Sequence, residues 1–213
     1  CDLFDLPHSL AGSYLSGFTY PWEALKGIKA LIENLGSRLG SDYAEVSPAV
    51  WVHKTAVIAP TAFLGAPCII GAGTEVRHCA FIRGSALIGE GCVVGNSVEL
   101  KNVILFDKVQ VPHYNYVGDS ILGYKAHMGA GSLTSNVKSD KSLVVIKNGE
   151  ERIPTGRKKV GAMLGDFVEV GCNSVLNPGT VVGRNSNIYP TSCVRGTVPP
   201  NCILKSGGIV VTK

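Results

Sequence analysis

The sequence predicts an all-β protein built as a parallel β-helix, with a short helical segment before it and a β-hairpin set into it. Three observations carry this reading. An aliphatic or aromatic residue returns at every sixth position: Val52, Ile58, Leu64, Ile70, Val76, Ile82, Ile88, Val94, Leu100 and Phe106. The same beat resumes later as Leu164, Val170, Leu176, Val182, Ile188 and Val194. Small residues follow four places behind, at Ala62, Cys68, Thr74, Ala80, Ala86 and Cys92, and Gly one place behind, at Gly65, Gly71, Gly89 and Gly95. A period of six is neither helical nor a strand alternation. A fixed hexapeptide unit marks a parallel β-helix.

Each hexad supplies one short strand and one corner. The bulky residue points inward, the small residue points inward where the prism is narrow, and Gly or a polar residue takes the corner, where positive φ is often needed. Three hexads make a coil of eighteen residues. Between the two blocks the beat stutters through Val117, Leu122, Met128 and Thr134, with Pro112 as a weak member. That makes about twenty-one hexads, or about seven coils, and a prism of roughly 34 Å at ~4.8 Å per layer. A stack of separate hairpins explains the fixed period poorly.

Residues 1–45 lack the beat. Pro21 opens and Gly36 closes a stretch in which Trp22, Leu25, Ile28, Leu31, Ile32 and Leu35 have helical spacing. This segment is expected to cap the open end of the first coil. The β-helix is expected to fill residues 46–213. Residues 135–163 interrupt it: 143–146 and 150–153 flank Asn148-Gly149, the pattern of a projecting hairpin with a type I′ turn.

Composition narrows the function. Charged residues are 17% and hydrophobic residues 45% of the 213 positions, which excludes a disordered chain. A net charge of +4 without basic runs argues against nucleic acid and suits an anionic small ligand. With no twenty-residue apolar stretch and no signal peptide in view, the expectation is a cytoplasmic protein away from the membrane. The seven Cys form no CxxC pair, and Cys68 and Cys92 fall in the small inward slot, as buried thiols of a reducing compartment do. His8, His53, His78, His113 and His127 share no spacing with the coil, so no metal is expected. Neither a Walker loop nor a serine elbow occurs.

Charge decorates the beat at few places. Arg83 and Lys101 both hold the corner slot and lie eighteen residues apart, hence one coil. Stacked about 5 Å apart, they repel unless an anion lies between them. A phosphate is the natural guest; two solvated cations that splay apart are the alternative. His113 follows Pro112, where the beat shortens from six to five, and eighteen-residue counting sets it over Gly95. It is either a general base or a structurally bonded histidine. Gly129-Ala130-Gly131 admits a ligand close to the backbone or simply turns the chain. Asn136, at the margin of the insertion, offers a hydrogen bond to a substrate or caps a turn.

These stretches resemble the hexapeptide-repeat acyltransferases. Within them, the chain is most similar to the acetyltransferase part of sugar-1-phosphate nucleotidyltransferase/acetyltransferases, above all the archaeal ones. The resemblance runs from about Ile82 to Val194. It rests on Arg83-Gly84, Gly95-Asn96-Ser97-Val98-Glu99-Leu100-Lys101-Asn102, His113-Tyr114-Asn115-Tyr116-Val117-Gly118-Asp119, and Gly129-Ala130-Gly131 through Asn136. It implies a left-handed β-helix, a homotrimer, acetyl-CoA as acyl donor, and an amino-sugar phosphate such as glucosamine 1-phosphate as acceptor. The product would serve UDP-N-acetylglucosamine or related nucleotide-sugar synthesis. It assigns His113 as base and Asn136 as its catalytic companion. Arg83, Lys101, Tyr116, Asn136 and Lys141 fall at substrate-binding positions, and Ala130 and Cys172 at CoA-contacting ones. Three residues depart from the pattern: His127 replaces an Asn, Val137 a Tyr and Cys172 a small serine. No nucleotidyltransferase signature is present. The alternative is a β-helix that binds, regulates or scaffolds without turnover.

Overall fold

In the computed structural model, which describes residues 2–213, two sheets of 14 and 9 strands, parallel except at their ends, wrap into a prism of three faces. One face stacks Val50–His53, Cys68–Ile70, Ala86–Ile88, Ala162–Leu164 and Thr180–Val182, among others. The second carries Val57–Ile58, Glu75–Val76, Val93–Asn96, Gln110–His113, His127–Met128 and Glu169–Val170. The third carries Phe63–Leu64, Phe81–Ile82, Leu133–Thr134, Val175–Leu176 and Cys193–Val194. Strands Glu99–Leu105 and Tyr116–Leu122 are seven residues long and run around a corner, from the third face onto the first. The first two faces hold eight parallel layers and the third seven. The sequence count of seven coils fell short because Thr197–Val198 and Cys202–Leu204 lie beyond the last clear beat.

The bulky residues of the beat fill the interior: Ile70, Ile82, Ile88, Leu100 and Leu164 are fully buried. Cys68 and Cys92 take the inward slot, and burial pushes both thiols up to about 12. The glycines one place behind the beat have a different role from the one expected. Gly71, Gly89 and Gly95 do not have positive φ; each lies against the backbone of the next coil. The left-handed residue comes two places later and is usually not Gly, as at Cys79, Ser85, Ser97 and Lys108. Gly95 is the tightest case, since a Cβ there would lie 1.5 Å from the Pro112 carbonyl oxygen. Gly95→Ala is therefore expected to cost about 3 kcal/mol or more, the upper range for overpacking, read as a lowered melting temperature. Gly40→Ala, with nothing within 4 Å, should leave it unchanged.

The left-handed residues also locate the shortened steps. They fall at 73, 79, 85, 91, 97, 102, 108, 114, 119, 125 and 131, so the five-residue steps are 97 to 102 and 114 to 119. Both coils are thus seventeen residues long where the chain passes Lys101-Asn102 and Gly118-Asp119. The stumble expected between Pro112 and Val117 lies elsewhere in consequence. His113 pairs with Asn96, not Gly95.

The N-terminal segment lies along the side of the prism, not over its open end. Its helices, Gly12–Leu15 and Ile28–Gly36 with the 3-10 turn Pro21–Lys26, pack against the first face. The strands tell why: outward residues Ile69, Leu87, Ile104, Ile121 and Met163 are apolar and fully buried beside their inward neighbours. A face apolar on both sides needs a cover. The expected single helix breaks at Gly27, where the Tyr14 hydroxyl leaves no room for a Cβ and donates to the Ala24 carbonyl at 2.8 Å. Buried Asp166 pins the segment by accepting from the Asp5 and Tyr124 amides and pairing with Arg184 at 3.0 Å. The ends of the stack are covered by antiparallel strands, Tyr43–Ser47 on Val50–His53 and Val210–Thr212 on Cys202–Leu204.

The insertion forms the hairpin Val145–Asn148 with Glu151–Pro154. Its turn is Gly149-Glu150, one place later than expected, and only Gly149 has positive φ, as a II′ turn requires. Val144 and Ile146 are buried against Gly179, so the hairpin's base lies back along the first face.

Candidate active site

Two neighbouring corners of the prism flank the third face, and the sequence-predicted residues divide between them. On the corner leading to the first face, Arg83 and Lys101 stack as expected, since Leu100 pairs with Ile82. They do not face each other across an empty gap, however. Arg83 Nη1 donates to Glu99 Oε1 at 2.7 Å, and Lys101 Nζ donates to both Asp119 carboxylate oxygens at 3.1 Å. Mutual repulsion therefore gives no reason for an anion between them, because each cation has its own carboxylate.

Asp119 organises this corner. Its side chain is 3% exposed, and it also accepts from Asn102 Nδ2 at 2.8 Å and Asn136 Nδ2 at 2.6 Å. Asn136 Nδ2 further donates to the Tyr116 hydroxyl oxygen at 3.2 Å. Burial raises the Tyr116 phenol above its ordinary value, so the hydroxyl that accepts from Asn136 keeps its own proton. The adjoining cavity, about 540 Å³, is lined by Lys26, Lys101, Arg157, Lys158 and Lys159 against the single carboxylate of Asp119. Lys141 is exposed in the insertion, at a left-handed turn bonded to Lys138, and joins neither corner.

The other corner leads from the second face to the third. His113 ends strand Gln110–His113, and left-handed Tyr114 turns the chain. Buried Asn115 fixes the bend. Its Oδ1 accepts from the His113 amide at 3.1 Å, and its Nδ2 donates to the Gly129 and Ser132 carbonyls of the next coil. The imidazole is exposed, with Nδ1 3.4 Å from Asn96 Oδ1. A groove of about 510 Å³ runs beside it, lined by Pro112, His113, His127, Gly129, Ala130 and Cys172. The positions read as base and CoA contacts thus share one groove. Asn136 stands on the opposite corner, bonded to Asp119 and Tyr116, and makes no hydrogen bond to His113.

Sequence reasoning missed Asp119, Glu99 and the Lys26–Arg157 side of the basic cavity. Asp119 gave no signal in the sequence, where an Asp at a corner is ordinary; its left-handed φ at the second shortened step marks it only in the structure. Lys26 and Arg157 had none, since only the covering of the first face brings the N-terminal segment and the insertion to this corner.

No family model matches the chain. It is 31% identical over 182 residues to the bifunctional sugar-1-phosphate nucleotidylyltransferase/acetyltransferase of Sulfurisphaera tokodaii, covering 84% of this chain and 45% of that protein. It is 28% identical over 204 residues to the bifunctional protein GlmU of Methanococcus maripaludis, covering 94% and 49%. The chain spans about half the length of the curated relatives it matches, and aligns with their C-terminal half. The chain is thus a homologue of sugar-1-phosphate nucleotidylyltransferase/acetyltransferases over their C-terminal half. Its prism is a parallel β-helix built on the hexapeptide beat. A partial structural likeness extends to a hexapeptide transferase family protein of Anaplasma phagocytophilum, at 16% identity, 71% and 70% coverage and a TM-score of 0.40. Two cavities thus lie on neighbouring corners of the prism.

Proposed function

We propose that the protein is an acetyl-CoA-dependent N-acetyltransferase of an amino-sugar phosphate, with glucosamine 1-phosphate the first candidate acceptor. The observation that carries this reading is the basic cavity at the Lys101 corner, five cations against one carboxylate. Together with the chain's descent, it fits a phosphorylated sugar rather than a neutral one. The acceptor phosphate displaces Glu99 from exposed Arg83 and engages Lys101. The Tyr116 hydroxyl and Asn136 orient the sugar ring. Acetyl-CoA lies in the other groove, over Pro112 and Gly129, with its thioester beside His113. His113 takes the amine proton as nitrogen attacks the acetyl carbon, so no covalent enzyme intermediate forms.

The active assembly in this reading is a homotrimer in which the His113 corner of one protomer meets the Lys101 corner of the next. The third face between those corners exposes Phe63 (59%) and Phe81 (44%), with ring centroids 5.5 Å apart, a surface suited to burial against a neighbouring copy. Arg83→Ala and Lys101→Ala are each expected to raise KM for the acceptor about ten- to a hundredfold, the worth of a charge-assisted hydrogen bond. KM for acetyl-CoA should stay within about twofold. Equal rises for both substrates would remove the phosphate from this corner.

A further inference from the structure

The acyl-donor groove holds a second imidazole that the reaction above leaves unused. His127 Nδ1 lies 2.7 Å from Glu169 Oε2, across one coil, since His127 pairs with Glu169 in the parallel register. A carboxylate only accepts, so Nδ1 carries the proton and Nε2 is turned away from Glu169. His127 lines the same groove as His113 and Cys172. Its position on the strand puts Gly129, two residues on, between it and the Ala130 corner, and Pro112 holds the matching place in the coil before, so the groove between them is lined by a glycine and a proline. The two histidines thus line one groove from adjacent coils, His113 at the corner and His127 three places back along the neighbouring strand. His113 meets only an amide oxygen at 3.4 Å, whereas His127 has a carboxylate to face an imidazolium charge. The flanking cations Lys108 and Lys125 line the continuing groove beyond Gln110, and Arg77 is held by Glu75 at 2.9 Å.

We propose that His127, positioned by Glu169, is the general acid that protonates the departing CoA thiolate. The proposal rests on the acetyl-transfer reading. His127 enters the step with a proton on each nitrogen, Nδ1–H on Glu169 and Nε2–H toward the thioester. The amine lone pair attacks the acetyl carbon, and the N–C bond forms as His113 takes the amine proton. The C–S bond breaks with its electron pair on sulfur, and His127 Nε2 gives its proton to that sulfur. An amide and free CoA thiol result. Water then carries the proton from His113 back to His127, and nothing is oxidised or reduced.

An acid catalyst matters for a basic leaving group and little for a stable thiolate. Thiol release is therefore measured with acetyl-CoA and with 4-nitrophenyl thioacetate as donors, glucosamine 1-phosphate as acceptor. His127→Gln is expected to lower kcat with acetyl-CoA about a hundredfold and to leave the aryl thioester rate within about threefold. His113→Ala should lose activity with both. Glu169→Gln should lower kcat about tenfold alone and nothing further in the His127→Gln background, as a residue acting through His127 must. Full acetyl-CoA activity in His127→Gln, or equal losses with both donors, would overturn the acid role while acetyl transfer stands. A wild-type protein that releases no thiol with any amino-sugar phosphate overturns both.

Discussion

His113→Ala is expected to lower kcat for acetyl transfer by about 10²–10⁴-fold, the usual worth of a positioned general base. KM for the acceptor should change little, because Arg83 and Lys101 stand on the neighbouring corner, bonded to Glu99 and Asp119 and not to His113 or Asn115. The substitution leaves the bend intact. Asn115 holds the His113 amide, not the ring, and its Nδ2 ties the turn to the Gly129 and Ser132 carbonyls. The imidazole is exposed, so its loss opens no cavity in the core. Circular dichroism and melting temperature should match the parent within error. An unchanged kcat would show that deprotonation of the amine happens elsewhere. A joint collapse of activity and melting temperature would show that the ring supports the corner.

Asp119→Ala should have the largest effect on stability among the site residues. Lys101, Asn102 and Asn136 all donate to this one carboxylate, which is 3% exposed. Removing one partner of a buried ion pair strands the other, at about 3–5 kcal/mol. Lys101 keeps 28% exposure and reaches water in part, which puts the expectation near 3 kcal/mol. For a chain of this size that is a fall of about 6–12 °C in melting temperature. Asp119→Asn keeps the volume and should cost less stability. It should still raise the acceptor KM, because Lys101 and Asn136 lose the anchor that aims them. A melting temperature unchanged in both variants would mean that water replaces the carboxylate and that the corner is not built on it.

The prism was legible because its signal is purely local. A bulky residue every six places, from Val52 to Val194, is a periodicity that any buried core of this shape must impose. Corner stacking was legible to the same degree: eighteen-residue counting put Lys101 over Arg83, and the strands pair in that register. The count failed after Asn102, where the corner drops one residue. Phe106 kept the apparent beat although Leu105 is the inward residue paired with Ile88. Both are apolar and both are buried, so composition does not distinguish them. That single slip set His113 over the wrong neighbour. The place of the N-terminal helix was not legible either. Its amphipathic pattern shows that one side is covered, but the surface that covers it is the outward row Ile69, Leu87 and Ile104, whose significance appears only when the coils are stacked. Asp119 illustrates the same limit, since an Asp in a corner is ordinary until Lys101 and Asn102 of one neighbouring coil and Asn136 of the other converge on it.

Acetyl transfer from acetyl-CoA to an amino-sugar phosphate is open to a direct assay. The most direct measurement incubates the protein with acetyl-CoA and a panel of amino sugars, phosphorylated and unphosphorylated, gluco and galacto, while free thiol is followed. Acceptor-dependent thiol release is expected, strongest with a 1-phosphate and abolished to near background in His113→Ala. Thiol release that ignores the phosphate, or none above background with any acceptor, would contradict it.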